Sequence, residues 1–583
     1  MVKKILLCLV MYYLTSYAQT TEMDTLIYDK EDLLEEISNE EAPIDELFEK
    51  PMLKQGETLL SRPNIEIRSR FRRQLPISRG YKENVYLGNP WYSYQRIKIG
   101  NQIAEGGLLL KKDAGEKSYS DFTNYYFQLN DIFKFKKFII GDYIIEAGQG
   151  LFFWRGYYYS KGVGFSETAI RKARELQAYN SSDELGFMRG FATQLDFIFL
   201  SILIFYSKRN LTASIDTNGF INNFYFTYFR TQSDLARKNN TGEKIYGSRI
   251  FMSRANYKIG FTITENIYSR VIQNVQKNRY VNMGLDMLFN YQSINVAFES
   301  YLNNMRNLNS ILVIKLQPVK NMNYLLLYRS YSVSTFNRFS NPFGEYSGGK
   351  SENGFFTGMK CKLNKYLLIT AYADKYTIPF SEKYNFSVNG SEYFIQINNY
   401  FSNGIDFYIR YRSKIFEEKK QIFDDLNRTT KINEVFEKEN FRFHLNYKIS
   451  KKVIYKFRAE YLILSSKYTS TREYGRMFYH DIGLDFLFEK SVNFRITFFS
   501  SSSYKSGISS YESDLDGVLT NPILYGKGLK WYLLVKYKIK NLLLLSIKYS
   551  YLIRDDVKKI GTGWEQLPAN YDDRIGLQLE MNL

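Results

Sequence analysis

The feature that most constrains this chain is a strict alternation of apolar and polar residues, which recurs in segment after segment from about residue 64 onward. The clearest case is the closing stretch Ile575, Gly576, Leu577, Gln578, Leu579, Glu580, Met581, Asn582, Leu583. The same period of two recurs over residues 257–264, 405–412 and 531–540. Successive side chains of a β-strand point to opposite faces, so each stretch is predicted as a strand with one apolar face.

These predicted strands come in pairs joined by short polar links, and longer polar stretches separate the pairs. The short links include residues 291–293, 318–321, 363–365, 402–404, 450–452, 489–491 and 540–541. The long stretches include residues 333–353, 414–437, 466–475, 504–528 and 554–570. Short periplasmic turns and long external loops are typical of a transmembrane β-barrel, which must close because an unpaired sheet edge cannot face hydrocarbon. We therefore predict an all-β antiparallel barrel of about 24 strands, within a range of 22–26, over residues 61–583.

One predicted junction lacks a polar link. Residues 197–206 are nearly all apolar, but ten such residues are too few for a membrane-spanning helix. We predict a hairpin near Phe199.

Composition excludes two other classes of protein. With 51 Tyr and 45 Phe the chain is too aromatic for a disordered protein. Its mean hydropathy is -0.36, and after the first 20 positions it has no apolar run of about 20 residues, which a helical membrane protein would need.

The N-terminus carries an export pattern. Lys3 and Lys4 precede an apolar stretch over residues 5–14, and Ser16 and Ala18 are the small residues before a cleavage point. Residues 1–18 are predicted as a secretory signal peptide, the alternative being a buried N-terminal helix. Together with the barrel, this predicts the outer membrane of a Gram-negative bacterium.

Cysteine and histidine are too scarce for two kinds of site. Cys8 lies inside the signal, so the mature chain keeps only Cys361, and the chain has two His. We expect no disulfide, no metal site and no cofactor.

Residues 19–60 form a second region, which we interpret as a periplasmic arm. Residues 21–50 contain twelve acidic side chains against two lysines, a net charge of -10, whereas the whole chain carries +19. Apolar residues at helical spacing predict two short amphipathic helices broken at Pro43, and a solvated acidic tail is the alternative.

Residues 105–260 contain a more specific set of motifs. The stretches that carry it are Lys111 to Glu116, Gly141 to Tyr143, Gly148 to Leu151, Trp154, Lys161, Ser181 to Glu184, Arg189-Gly190, Phe205 to Ser207 and Leu235 to Lys238. This part resembles the Gram-negative outer-membrane barrels usually labelled helix-hairpin-helix proteins, which implies acidic N-terminal helices before a large C-terminal barrel. Residues 50–64 lack a helix-hairpin-helix with its Gly-containing hairpin, and we expect no nucleic-acid partner. The family implies no enzymatic activity.

Residues 141–190 combine glycine with charge at a density unlike the neighbouring strands. We interpret part of them as a loop or short helix, Glu167 to Leu176, folded toward the lumen and fixed by ion pairs; an ordinary external loop is the alternative. Gly148-Gln149-Gly150 is a weak phosphate-loop signal, because no Gly-Lys-Ser/Thr follows. The candidate lumen residues are Arg155, Lys161, Arg171, Arg174, Glu175, Asp183, Glu184 and Arg189.

A second set of charges lies on the polar faces of strands near the two chain ends, which must meet when the barrel closes. These candidate basic-wall residues are Arg68, Arg70, Arg72, Arg96, Lys98, Lys536 and Lys538. They predict either a basic inner wall or an interfacial band that binds acidic lipid headgroups, while biased codon usage would also enrich lysine.

Three functions follow from these patterns. The first is a pore or transport barrel, with no covalent chemistry, whose wide lumen is occluded by inserted segments and by the acidic arm; the solute is unknown and anions suit a basic wall. The second is a non-conducting scaffold that docks a periplasmic or envelope protein through residues 21–50. The third is a lipid hydrolase built on His444 or His480, although a lone His is more often a hydrogen-bonding residue in a lumen. Outer-membrane lipid is a partner in every case.

Overall fold

The computed structural model describes residues 63–583, with gaps at 156–160, 226–227, 274–275, 304–305, 334, 346–350, 380–386, 402, 424–428, 487–489 and 541, and without the side chains of 419–431. The predicted signal peptide (residues 1–18) and acidic arm (residues 19–60) lie outside the described residues.

The chain forms a closed antiparallel barrel of 24 strands, as predicted. Its first strands are β1 (Asn64–Gln74), β2 (Trp91–Gly100), β3 (Ala104–Lys112), β4 (Phe122–Ile132), β5 (Phe135–Glu146), β7 (Met188–Asp196), β8 (Ser201–Leu211), β11 (Thr241–Ser253), β12 (Tyr257–Ile272), β13 (Lys277–Tyr291), β14 (Ile294–Asn303) and β15 (Asn307–Val319). The ring continues with β16 (Met322–Tyr331), β17 (Glu352–Lys362), β18 (Leu367–Ile378), β19 (Val388–Tyr400), β20 (Ile405–Phe423), β21 (Thr429–Lys448), β22 (Val453–Ser466), β23 (Arg472–Phe486), β24 (Lys490–Ser501), β27 (Lys527–Ile539), β28 (Leu543–Arg554) and β29 (Tyr571–Asn582).

The ring closes between its first and last strands. Nine residues of β1 pair antiparallel with β29, from Glu66 opposite Asn582 to Gln74 opposite Arg574. This pairing removes the two sheet edges, which could not be satisfied in hydrocarbon.

The two ends of the barrel differ, and we name them the turn end and the loop end. At the turn end the short links lie where the sequence predicts them, and the apolar hairpin near Phe199 is confirmed: the Phe197 N–H donates to the Leu200 carbonyl over 2.8 Å. At the loop end one prediction is wrong, because residues 414–437 are not a long loop. Strands β20 and β21 stay paired as far as Phe423 opposite Thr429. Polar residues interrupt the alternation in this part of the sequence, which hides a strand from a search for apolar alternation.

The outer wall is apolar. On β13, for example, Leu285, Met287 and Phe289 face outward and keep about two-fifths of their surface exposed, whereas Asp286 between them is buried. Dozens of large apolar side chains are exposed in the same way around the ring. Such a surface is stable only in contact with lipid, because removing apolar area from water contributes a favourable free energy of about 25 cal/mol per Å².

Shorter elements lie in the loops. They are the strands β6 (Glu175–Ala178), β9 (Ala213–Ile215), β10 (Ile221–Phe224), β25 (Ile508–Ser509) and β26 (Ile523–Leu524), the helices α1 (Arg79–Lys82), α2 (Phe165–Thr168) and α3 (Gln232–Arg237), and a 3₁₀ turn at Gly563–Glu565. For the predicted loop or short helix from Glu167 to Leu176, the helical alternative is wrong beyond Thr168, because Leu176 pairs with Ile145 at the edge of β5. None of the helices in the described ranges has the length and apolar character required to cross a bilayer.

Candidate functional site

Two loop-end segments pack against the inward-facing side of the barrel wall. Segment A is residues 147–187, between β5 and β7, and segment B is residues 502–526, between β24 and β27. Segment A is joined by the β16–β17 loop: the Trp154 N–H donates to the Phe339 carbonyl over 3.0 Å, and the Asn341 N–H donates to the Gly150 carbonyl over 2.9 Å.

Aromatic rings anchor segment A in the wall. Phe152 and Phe165 are buried in a large apolar cluster with side chains of the strands. Gly284 on β13 and Gly358 on β17 make room for these rings, since a Cβ at either glycine would lie 2.4 to 2.5 Å from a ring carbon. Larger residues there would push the rings out, so these strand glycines define sockets for segment A.

The Gly148-Gln149-Gly150 turn of segment A binds a carboxylate of this same chain. The backbone N–H groups of Gln149, Leu151 and Phe152 donate to the Glu299 carboxylate of β14 over 2.6, 2.8 and 2.8 Å. Gly148 and Gly150 adopt φ of 55° and 83°, a left-handed conformation that bends successive N–H groups into one concave nest. The nest therefore fixes segment A to the wall.

Replacing Glu299 with Gln should loosen this turn. The amide keeps the size of the carboxylate but loses its charge, and its NH₂ group cannot accept a hydrogen bond from a backbone N–H. We expect local destabilisation of about 1–3 kcal/mol. Hydrogen exchange of the Gln149, Leu151 and Phe152 amides would measure it.

Glu265→Gln, at a half-exposed ion pair with Arg279 on the wall, is the matched control. Unchanged protection of the three amides in Glu299→Gln would contradict the anchoring role.

Lys161 of segment A lies in a pocket of carboxylates. Its Nζ is 2.7 Å from Glu345 in the β16–β17 loop, 2.7 Å from Asp374 on β18 and 3.4 Å from Glu392 on β19. The ammonium is almost fully buried, and these three carboxylates hold the pKa of Lys161 well above its usual value although burial lowers it.

The same carboxylates also bind cations of the wall. Arg329 on β16 pairs with Asp374 over 2.9 Å and with Glu352 over 2.5 Å, Arg412 on β20 pairs with Glu392 over 2.9 Å, and Lys414 pairs with Glu345. Lys161 is thus one of four cations that neutralise four carboxylates.

Three more predicted lumen residues lie in segment A. Arg174 pairs with Glu146 over 2.5 Å. Glu175 pairs with Arg249 of β11 over 2.7 Å and Lys258 of β12 over 2.6 Å.

Arg171 stacks on the Trp154 ring at 4.7 Å, and its backbone N–H donates to the Gln149 side chain over 3.0 Å. Arg171 thus supports the same turn that binds Glu299.

The remaining candidates lie near the loop end, and one of them is misplaced by the sequence prediction. Arg155 pairs with Asp183 inside segment A, and Glu184 lies 3.5 Å from Lys111 of β3. Arg189, in contrast, lies on the outward face of β7, where it pairs with Asp142 over 2.5 Å. Its neighbours Met188 and Gly190 take the inward positions, so the period of two excludes Arg189 from the lumen.

Burial raises the pKa of Glu184 to about 7; Lys111 opposes this shift, and the nearby acids led by Asp113 add to it. Because the folded pKa lies above the unfolded value, the folded protein binds the proton more tightly, and stability should rise as pH falls from about 8 to about 5. Glu184→Gln should be more stable than the natural chain at pH 8, by roughly 1–3 kcal/mol, and the two should converge near pH 5. Urea unfolding across this pH range measures the difference.

Glu83→Gln, at an exposed carboxylate, is the control. The difference in unfolding free energy between this variant and the natural chain should not change between pH 8 and pH 5. A Glu184→Gln variant that is less stable than the natural chain at pH 8 would contradict the assignment.

The basic-wall candidates all lie on inward-facing positions of β1, β2 and β27. Arg68 pairs with Glu580 of β29 over 2.9 Å, and Arg70 donates to Gln578 over 2.5 Å and to the Asp516 carbonyl over 2.6 Å. Arg72 stacks on Tyr92 at 4.1 Å. Arg96 lies directly opposite Arg68.

The other three candidates complete this wall. Lys98 lies opposite Glu66, Lys536 pairs with Asp516 over 2.5 Å, and Lys538 lies opposite Leu544 near the turn end.

Segment B supplies the anions that meet part of this wall, which the sequence analysis missed. Asp514 pairs with Lys548 over 2.7 Å, and Glu512 pairs with Lys530 over 2.5 Å, both lysines lying on inward-facing positions. Together with Asp516, these carboxylates alternate with Ser513 and Leu515 in a stretch that was predicted as an ordinary external loop. The alternating spacing of these carboxylates, which lie opposite Lys536 and Lys548, was the sequence signal available for this contact.

The two histidines lie on opposite faces of the wall. His444 faces inward and stacks on Tyr408 with ring centroids 5.0 Å apart, whereas His480 faces outward and hydrogen-bonds the Tyr455 hydroxyl over 2.7 Å. Neither imidazole hydrogen-bonds a serine or a carboxylate in the described part of the chain, so the geometry gives the hydrolase hypothesis no support. Within the same residues no group of three His, Cys, Asp or Glu side chains is placed to hold a metal ion.

The chain matches no family model and no curated protein sequence, so the family resemblance of residues 105–260 stays a prediction. It is similar in structure to the siderophore receptor PirA from Acinetobacter baumannii (9% identity, covering 90% of this chain and 81% of that chain, TM-score 0.41). It is also similar to the copper transporter OprC (6% identity, 91% and 84% covered, TM-score 0.44). A third similar structure is Pseudomonas aeruginosa OccK3 (11% identity, 59% and 90% covered, TM-score 0.29). The closed strand ring and apolar outer wall described above make the chain itself a transmembrane β-barrel of the outer-membrane type.

Proposed function

We propose that this barrel transports small anionic solutes across the outer membrane, and that segments A and B occlude its lumen at rest. The observation that carries the proposal is the inner wall of β1 and β2. There Arg68, Arg96 and Lys98 lie on neighbouring inward-facing positions, while the carboxylates of segment B pair with Lys530, Lys536 and Lys548. A strip of cations favours passage of anions.

The contacts of segment A suit an obstruction that is stable at rest. Segment A is held by the apolar cluster around Phe152 and Phe165 as well as by ion pairs and by the Glu299 nest. The arm of residues 19–60 precedes β1 in the chain and carries a charge opposite to that of the basic strip, and we include it in the occlusion.

Planar-bilayer recording tests this function. The full chain should give a small conductance, and in a salt gradient the reversal potential should favour anions. A neutral-arm variant, in which the twelve acids of residues 21–50 become Asn or Gln, should conduct more. Equal conductance would remove the arm from the proposal, and a cation-selective current would overturn the anion assignment.

A scaffold role is the second candidate, and the acidic block of residues 21–50 is the feature that favours it. Such a block would attract a basic envelope protein. Co-purification in mild detergent separates the two functions: a stoichiometric partner that is lost in the neutral-arm variant supports the scaffold, and its absence from the full chain counts against it.

A further inference from the structure

A group of buried polar side chains on β1 to β4 has more hydrogen-bond donors than the described residues satisfy. Arg68 and Arg96 are opposite each other in register, and each exposes 6% or less of its surface. The Nη2 atom of Arg68 pairs with Glu580, but its Nε and Nη1 atoms have no partner in the part of the chain that the structure describes. Like charges placed directly opposite repel, and Glu580 offsets this repulsion through one Arg68 nitrogen only.

Arg96 is less satisfied still. Its nearest carboxylate oxygen, on Glu66, is 3.9 Å away, beyond hydrogen-bond distance, and its Nε and Nη1 atoms lack partners among the described residues. Lys98 is the next inward residue of β2 and adds a third positive charge. The nearby carboxylates are Glu66, Glu105, Glu580 and Asp516, and among the described residues only Glu580 hydrogen-bonds one of the two arginines.

Neutral donors continue the site along the wall. Asn124 of β4 is fully buried, and no described residue hydrogen-bonds either of its amide atoms. No described residue hydrogen-bonds the amide of Asn180 in segment A either. Asn180 lies over Gly107, where a Cβ would be 2.6 Å from the Asn180 nitrogen.

From the opposite side, segment B covers Arg68. A Cβ at its Gly517 would lie 2.6 Å from an Arg68 nitrogen. The site is therefore enclosed by the wall and by both segments.

We propose that Arg68, Arg96 and Lys98 form an oxyanion-binding site, with Asn124 and Asn180 as neighbouring hydrogen-bonding groups, which takes a carboxylate or phosphate group. Buried polar groups are almost always satisfied, and unpaired buried guanidinium nitrogens are costly, so these unpaired donors select an anion over an apolar ligand. Glu66 keeps 38% of its side chain exposed, which gives the site access from the turn end. This inference rests on the proposed anion transport and names its binding site.

Isothermal titration of the detergent-solubilised full chain with inorganic phosphate and with succinate tests the site. Arg96→Gln should weaken binding of both probes by about tenfold or more, because a charge-assisted donor is lost. Glu66→Gln removes the competing carboxylate and should tighten binding by about threefold to tenfold. Arg476→Gln removes the same charge from the outward face, where Arg476 stacks on Tyr461, and should change nothing.

The neutral-arm variant distinguishes two sources of the anion. Tighter probe binding in that variant means that carboxylates of the arm occupy the site in the full chain, and equal binding means that the site serves free anions; both support the proposal. Absence of saturable binding in both proteins, or an Arg96→Gln variant that binds like Arg476→Gln, would overturn it. Titration in detergent does not require conduction, so saturable binding without conductance would overturn the transport function and leave the site standing.

Discussion

Replacing residues 149–172 with a Gly-Ser linker of equal length is expected to raise the single-channel conductance of the barrel by about tenfold or more. The linker keeps β6 and the pairing of β5 with β7, but it removes Lys161, Arg171 and the anchoring rings of Phe152 and Phe165. A Gly-Ser chain has neither apolar nor charged side chains to hold it against the wall, so it stays solvated. A 24-strand ring is wider than the barrels of open porins, and its hydrated lumen should then conduct. Single-channel recording in planar bilayers measures the change.

The control replaces α3, Gln232–Arg237, whose side chains are not buried and lie at the loop end. Heat-modifiable migration on gels shows whether each variant folds. A folded segment A variant with the conductance of the natural chain would mean that segment A does not limit flow, and the lumen would have to be closed elsewhere.

The fold of this chain follows from its sequence because each strand meets two different environments. Odd and even positions of β29 contact lipid and the barrel interior, so residues 575–583 carry the pattern without help from distant residues. Where polar residues interrupt the alternation, as in residues 414–437, the pattern is lost and the prediction of a loop is wrong. The predicted number of strands is nevertheless correct, because it rests on the alternation of short turns and long loops and not on the length of each strand.

The site is harder to predict because its contacts join residues that are far apart in the chain. Nothing near Gly148-Gln149-Gly150 indicates that its partner is Glu299, about 150 residues away on a strand face. The sequence could mark Lys161 as a candidate, but not the carboxylates that surround it. Arg189 is an avoidable error, since counting by twos along β7 places it on the outer face.

Lys161→Met is expected to destabilise the folded barrel by about 3–5 kcal/mol, because it leaves a buried carboxylate cluster one cation short. Glu345, Glu352, Asp374 and Glu392 would then share Arg329, Arg412 and Lys414. The midpoint of urea unfolding, followed by tryptophan fluorescence, measures the loss.

The pH dependence of this loss identifies its cause. Burial raises the pKa of Glu345, but Lys161 and Lys414 outweigh burial and hold that pKa below its usual range. A depressed folded pKa gives stability that is present above the unfolded value, near 4.5, and is lost as pH falls through the folded value. In Lys161→Met the pKa of Glu345 should rise, so protonation relieves the unpaired charge and the gap between the two proteins should narrow as pH approaches 4.

Lys360→Met provides the matched comparison. Lys360 also joins the wall to segment A, through Glu167 over 2.8 Å, but both side chains of this pair are partly exposed. Water screens such a pair, so its loss should cost about 1 kcal/mol or less and should not depend on pH between 4 and 8. A Lys161→Met variant no less stable than Lys360→Met, or a gap that stays constant toward pH 4, would mean that the carboxylates around Lys161 are hydrated and that segment A is held by its aromatic anchors instead.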